Sequence, residues 1–377
     1  MKILIFMEGF FPGKKYGGPP VSVDNFCSLM QDDHCYIVAT NHDMGENESY
    51  SEIENKKWLQ RENSNIMYLS DSDYTRSTFE SIILEIRPDI IYLQGLFQAC
   101  ILPCLILAKT HNIRVMLAPR GELCAGAFRK KYKKMPYISF LRINGLLKNV
   151  SFQSTSNEET EKIQKYLGVD GSRVFSLSNI PSIPSQTYDR KGKEPGNAAL
   201  VFISRIHPKK NLMGAIRYLA SLHGNISFDI YGPIEDEDYW NTCQNEIAKL
   251  PSNIKVKYSG LISHENVHET FSRYDAFLFP TLSENYGHVI AESLFVGTPV
   301  IISDQTPWTD INDYNAGFAV NLSDESGFIT AIQKIVDSTN DEMKKMIADS
   351  ISYVKKKTDI EHIREKYTEA FRSAKNN

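Results

Sequence analysis

No stretch of eighteen apolar residues occurs in this chain of 377, so the sequence offers no candidate for a membrane-spanning helix. The six cysteines, Cys27, Cys35, Cys100, Cys104, Cys124 and Cys243, are scattered and form no CxxC pair. That spacing argues against a disulfide framework and fits a reducing cytoplasm. Strong positive charge is also missing: the net charge is −4, which argues against a general nucleic-acid binder. Short-period repeats and low-complexity blocks are absent. Gly-x-Gly-x-x-Gly is absent from both domain-opening strands, which argues against a dinucleotide dehydrogenase. The apolar run at Met1–Met7 is short and meets Glu8 without a cleavage site, so a first buried strand is expected rather than a signal peptide.

What is present is an alternation of strand-like runs and helical patterns, the signature of α/β architecture with parallel sheets. The first half carries runs at Ile3–Met7, Cys35–Ala39, Ile66–Leu69, Ile90–Leu93, Val115–Ala118 and Ser151–Ser154. The second carries Leu200–Ser204, Ile226–Tyr231, Ile254–Tyr258, Ala276–Pro280 and Val300–Ser303. Between them Ile180–Asn197, rich in Pro, Gly, Ser and charge, reads as an interdomain linker. Two domains are expected, 1–183 and 197–359. A charged helical tail from about Asp341 to Lys375 follows, carrying Tyr353, Ile363, Tyr367 and Phe371.

Two junctions concentrate the chemistry. Ser204-Arg-Ile-His-Pro-Lys-Lys-Asn211 follows a buried-strand run and precedes Leu212, Ala215, Ile216 and Leu219 at helical spacing. It sets Arg205 and Lys210 where a strand ends and a helix begins, the edge at which open α/β sheets bind ligands. Glu284-Asn-Tyr-Gly-His-Val-Ile-Ala-Glu292 follows the run Ala276–Pro280 and enters a helix that would end at Gly297. The start of such a helix presents unpaired N–H groups suited to phosphate, here around Tyr286, Gly287 and His288. Glu284 would meet a polar ligand at the helix mouth, and Glu292 would reach further along it.

Arg205…Lys210-Asn211, followed about 75 residues later by Glu284-x7-Glu292, resembles retaining glycosyltransferase family 4 (glycosyl transferases group 1) of the GT-B fold. The flanks Phe279–Gly287 and Gly297–Asp304 agree, as does Gly17-Gly18-Pro19 near the N-terminus. The resemblance covers nearly the whole chain and is strongest over 199–310. It implies two Rossmann-like domains with parallel sheets facing across a cleft, an acceptor-binding first domain and a donor-binding second. The last helix, about 360–377, would cross back to the first domain.

The same resemblance implies a UDP- or GDP-linked sugar donor as substrate, no cofactor and no metal. Arg205 and Lys210 would stabilise the leaving diphosphate, and Glu284 would contact the donor sugar. Glu292 would bind the ribose, with Gly17, Gly18, Asn285, Tyr286, Gly287 and His288 around the donor. The acceptor is expected to be a glycan, lipid-linked, in bacterial surface polysaccharide synthesis. The protein is expected in the cytoplasm, free or peripheral at the inner membrane face. Where the family often places a histidine, Val115–Ala118 runs instead into Pro119-Arg-Gly-Glu122, and Arg120 would face the donor sugar or the acceptor. A catalytically inactive nucleotide-sugar-binding protein and a GT-B epimerase are the alternatives.

Three further patterns carry weight. His264-Glu-Asn-Val-His268 matches HExxH, but Ser263 looks like an N-cap, and Val267, Phe271 and Tyr274 make an apolar helix face. Asp71-Ser-Asp73 resembles a metal-binding DxD yet sits in a polar loop before a helix, where capping is expected. Phe128–Lys148 holds seven basic residues, among them Arg129, Lys130, Lys131, Lys133 and Lys134, with no acid between Glu122 and Glu158. It suits an anionic membrane surface, the acceptor's own phosphate, or plain solvent.

Overall fold

The structure, a computed structural model, describes every residue except Lys14, Gly17, Asn47, 125–130, Asn285 and Asn377, and at Lys131 only the backbone. Gly17, Asn285, Arg129 and Lys130 therefore lie outside the described residues. The chain divides into two compact units, 1–180 with 360–377, and 181–359.

The first unit runs β1 (Lys2–Phe6), α1 (Gly18–Leu29), β2 (His34–Thr40), β3 (Trp58–Gln60), β4 (Asn65–Leu69), α2 (Arg76–Ile86) and β5 (Ile90–Gln94). It continues through α3 (Ile101–Thr110), β6 (Arg114–Ala118), α4 (Lys131–Ile143), β7 (Val150–Ser154), α5 (Asn157–Leu167) and β8 (Val174–Ser176). The sheet order is β3-β4-β2-β1-β5-β6-β7-β8, parallel except for the antiparallel edge strand β3. Ile3, Leu4, Ile5 and Phe6 are all fully buried, as a central parallel strand covered on both faces requires.

The second unit runs β9 (Asn197–Ile203), α6 (Leu212–Leu219), β10 (Asn225–Tyr231), α7 (Glu237–Ile247), β11 (Ile254–Gly260), α8 (Val267–Ser272) and β12 (Ala276–Phe279). Then come α9 (His288–Phe295), β13 (Val300–Ser303), β14 (Gly317–Val320), α10 (Glu325–Asp337) and α11 (Asn340–Thr358). Its sheet, β11-β10-β9-β12-β13-β14, is wholly parallel. The order reverses at β9, and β9 and β12 both deliver their C-terminal ends to the Arg205 and Glu284 loops.

The tail forms two helices. Asp359, at φ +32, ends α11, and α12 (Ile360–Asn376) belongs to the first unit. Ile363, Tyr367, Ala370, Phe371 and Ala374 form its buried stripe. Phe371 meets Phe26 and Tyr92 at 5.0 and 5.1 Å between ring centroids. Tyr353, by contrast, is buried in the second unit.

The expected linker behaves differently as well. Its residues from 181 onward pack on the second unit, because their cations hold helix ends. Arg190 donates to the carbonyls of Phe271 in the last turn of α8 and Tyr274 just beyond it, and Lys193 to that of Val336 in α10. Among the described residues no helix is long and apolar enough to cross a membrane.

Candidate functional site

β9 ends at Ile203, and Ser204 N–H donates to the Tyr231 carbonyl, keeping the next loop beside the end of β10. Gly232 there has φ +135°, and a Cβ on it would lie 1.9 Å from the Ser204 carbonyl oxygen, so no other residue fits. Ile206 N–H donates to the Pro233 carbonyl and Glu235 N–H to that of Ile206. These bonds bring Glu235 against Arg205, Nη1 to Oε1 2.5 Å. Sequence reasoning missed Glu235; the Gly232-Pro233 turn directly after a strand was its one signal.

Pro208–Lys210 makes a 3₁₀ turn ended by Asn211 in the left-handed region, φ +56. The Asn211 amide caps α6 through Gly214 N–H and donates to the Pro280 carbonyl at 2.9 Å. Leu282 N–H donates to the Lys209 carbonyl, also at 2.9 Å. This lacing carries Lys210, 12% exposed, onto Glu284, 18% exposed, with Nζ to Oε2 at 2.5 Å. The Phe279 ring lies 5.4 Å from the same Nζ. Arg205 is more open, at 44%. Glu284 is thus the ion-pair partner of Lys210.

Gly287, at φ +80, opens α9 without a side-chain cap. A Cβ there would come within 2.8 Å of Ile290 Cδ1 and 3.2 Å of Glu284 Cγ. Trp308 Nε1–H donates to the Tyr286 carbonyl at 2.6 Å and fixes the approach to the helix. His288 packs edge-on against Tyr286, 4.8 Å between centroids. Glu292 is only 3% exposed, and burial pushes its carboxyl up to about 7. The same burial, with Glu292 close by, raises the Tyr286 phenol. Glu292 therefore sits deeper than the open strand edge at which Lys210 and Glu284 meet.

In the first unit Arg120 has φ +54 and turns inward. Nε donates to Gln94 Oε1 at 2.8 Å, Nη2 to the Tyr92 hydroxyl at 3.2 Å and Nη1 to Asn179 Oδ1 at 3.5 Å. Tyr92 passes the network on to Gln153 (2.5 Å), and Gln153 to the Tyr367 hydroxyl of α12 (2.8 Å). Three of the five guanidinium N–H groups are spent on the unit's own interior. The loop is held by two acids that sequence reasoning did not single out. Glu122 accepts from Leu96 and Phe97 N–H, and buried Glu159 from Gly121 and Thr155 N–H. Gly18 begins α1, where a Cβ would meet nothing within 4 Å.

The decoys resolve on geometry. Thr75, not an aspartate of the DxD, caps α2. Asp71 bonds His42 Nε2 at 2.9 Å, while Lys56, and then Asn55 and Ser70, hold Asp73 and keep its carboxyl down at about 2. His264 lies in a 3₁₀ turn and His268 in the six-residue α8, so the two share no continuous helix. Burial, and then nearby His264, push buried His268 down to about 4. No group of three or more His, Cys, Asp or Glu among the described residues could hold a metal.

A cavity of about 440 Å³ opens at the other, N-terminal edge of the second sheet, lined by Arg190, Lys193, Asn197, Asn225, Lys255 and Asp275 among others. Its buried cations are the helix-end partners described above, so its volume does not mark the chemistry.

Residues 185–352 match the family model of glycosyl transferases group 1. This stretch is a glycosyl transferases group 1 domain. It contains Arg205, Lys210, Glu284 and Glu292, and it matches nearly the whole second unit. Over 183 residues, 46% of the chain, there is 23% identity to the UDP-N-acetylglucosamine–peptide N-acetylglucosaminyltransferase GtfA subunit of Streptococcus pneumoniae serotype 4. Over 178 residues, also 46%, there is 25% identity to the O-antigen chain mannosyltransferase RfbU of Salmonella typhimurium. These matches span 34% and 48% of the two relatives' lengths. The structure of Anabaena HepE in complex with UDP and glucose aligns over 99% of this chain and all of its own, with TM-score 0.70 and 13% identity. The fold of the group 1 domain and its companion unit is GT-B.

Proposed function

We propose that the chain is a retaining glycosyltransferase that moves a sugar from a nucleotide-sugar donor to a glycan acceptor. The observation that carries this is the Lys210–Glu284 pair, with Arg205 in the same strand-to-helix loop as Lys210, at the strand ends of a group 1 domain and next to the start of α9. As the anomeric C–O bond breaks, negative charge grows on the departing diphosphate. Arg205 and Lys210 supply fixed positive charge there, and the first N–H groups of α9 add donors. Glu284, restrained by Lys210, is placed to accept a hydrogen bond from a donor-sugar hydroxyl. The new bond forms from the acceptor hydroxyl oxygen on the same face, and its proton leaves with the diphosphate. These cations take the role a metal would otherwise fill, so transfer needs no divalent ion. Glu292 binds the ribose from its buried position once α9 is engaged.

The acceptor we favour is a lipid-linked glycan of bacterial surface polysaccharide synthesis, met at the inner face of the membrane. Support comes from the relative named as an O-antigen chain mannosyltransferase and from the basic segment 128–148. UDP is the first nucleotide to test, because HepE was solved with it.

The test is thermal unfolding with UDP, GDP and their sugars, beside turnover assays with and without acceptor. A ligand that binds only the folded state raises stability in proportion to its affinity. Wild type should be stabilised by one nucleotide series and should consume donor faster with a glycan acceptor. Binding without turnover would mean an inactive binder, and product from donor alone an epimerase. Stabilisation by none of the nucleotides would end the proposal.

A further inference from the structure

The helix α4 carries an exposed apolar ridge that sequence composition alone did not reveal. Ile143 is 84% exposed and Tyr132 73%, the two highest values among the exposed large apolar residues described, and Phe140 is 45% exposed. Pro136 is exposed as well. At roughly 100° per residue, positions 132, 136, 140 and 143 fall within about 80° of arc. Ile138 and Leu141, on the opposite side, are fully buried. Exposed Lys133 flanks the ridge on one side and exposed Arg142 on the other, with exposed Lys148 just beyond the helix. No acid lies between Glu122 and Glu158 to neutralise them. Lys134 does not join this surface: it is half-buried, with Nζ 4.2 Å from the centre of the Phe97 ring.

We propose that this ridge is an interfacial anchor on which the first unit lies against an anionic lipid bilayer, with Tyr132, Phe140 and Ile143 entering the headgroup–acyl boundary and Lys133, Arg142 and Lys148 meeting lipid phosphates. The chemistry of the face selects this occupant. A solvated helix would not concentrate its most exposed apolar side chains on one stripe, and an apolar protein partner would not call for a cationic border on a helix that carries no acid of its own. An apolar stripe with a basic border is the pattern of a helix lying in a membrane interface. The proposal refines the membrane element of the function proposed above, naming the residues that make contact.

The experiment is co-sedimentation of the full chain with vesicles of phosphatidylcholine alone or mixed with phosphatidylglycerol, at low and high salt and without donor. Wild type should partition to the anionic vesicles and be released by salt. F140D/I143D should lower partitioning at least about tenfold. Each of Lys133→Ala and Arg142→Ala should lower it about fivefold, and Lys134→Ala should lower it least. All variants should keep the wild-type circular dichroism spectrum and nucleotide-induced thermal shift. Equal binding of wild type to neutral and anionic vesicles, or wild-type binding by F140D/I143D, would overturn the proposal. So would a dimer in solution that the double variant dissociates, since the ridge would then be covered by a second copy. Vesicle binding by a wild type that no nucleotide stabilises would sink the transferase proposal and leave this one standing.

Discussion

The two units treat an arginine at the end of a strand in opposite ways. Arg205 leaves β9 into an open loop, where its partner, Glu235, is itself partly exposed. Arg120 leaves β6 and turns back into Gln94, Tyr92 and Asn179, in a network that reaches α12 through Gln153 and Tyr367. Strand-end position therefore does not by itself make a cation a ligand group. What decides is whether neighbouring strand ends supply buried acceptors, as Gln94 and Tyr92 do, or a partly exposed carboxylate, as Glu235 does. Charges held at an accessible edge can exchange partners with a ligand, whereas a guanidinium spent on buried acceptors positions the loop around it.

This contrast breaks first at Lys210. Lys210→Ala should lower donor turnover on the order of a hundredfold or more while the protein stays folded, since one charge-stabilising group is lost from the diphosphate site. Arg205→Ala should fall in the same direction. Turnover within a few-fold of wild type for both variants, measured on protein of native circular dichroism, would refute the assignment. Arg120→Ala should act differently, losing stability in urea before it loses nucleotide binding.

Next in size is the docking of α12. Phe371→Ala should cost about 3–5 kcal/mol in urea unfolding, as truncation of a fully buried aromatic does. An effect below 1 kcal/mol would mean that the helix does not pack on the first unit as described.

Glu292 supplies a pH-dependent test. Its folded pKa of about 7 lies above its unfolded value of 4.5, so the protonated carboxyl favours the folded state. That contribution is complete below pH 4.5 and is lost as pH rises to about 7. Glu292→Gln should therefore be more stable than wild type at pH 8, by an amount on the order of 3 kcal/mol, and nearly equal to it at pH 4.5. His268 runs the other way: burial holds its folded pKa at about 4, below the ordinary value of 6.5. Stability from the neutral ring is present above pH 6.5 and lost as pH falls towards 4. Urea midpoints of wild type, Glu292→Gln and a His268 variant across this range separate the two contributions. A Glu292→Gln difference that does not change with pH would remove burial as the cause.

The smallest expected effect is that of a chelator. EDTA should leave donor turnover unchanged, and a loss rescued by Mg²⁺ or Mn²⁺ would contradict the cationic assignment of Arg205 and Lys210.

Much of this molecule was decided by local sequence. Apolar runs four to six residues long read as strands, and each formed within three residues of its expected ends, with exposed positions along β10 and β11. Short β3, β8 and β14 escaped notice because their runs are brief or partly exposed. The Arg205–Lys210 and Glu284–Glu292 segments were legible because the residues that shape each loop, Asn211 and Gly287, lie inside the motifs themselves. Tertiary structure alone decided the rest. It paired Lys210 with Glu284, 74 residues away, by laying two loops side by side. It turned the expected linker into helix-end caps and sent Arg120 inward. It also chose which side of α4 faces out. The physical reason is the same in each case. Secondary structure follows from side-chain periodicity along the chain. The partner of a charge, or the exposed face of a helix, depends on which distant strand end or helix end arrives beside it.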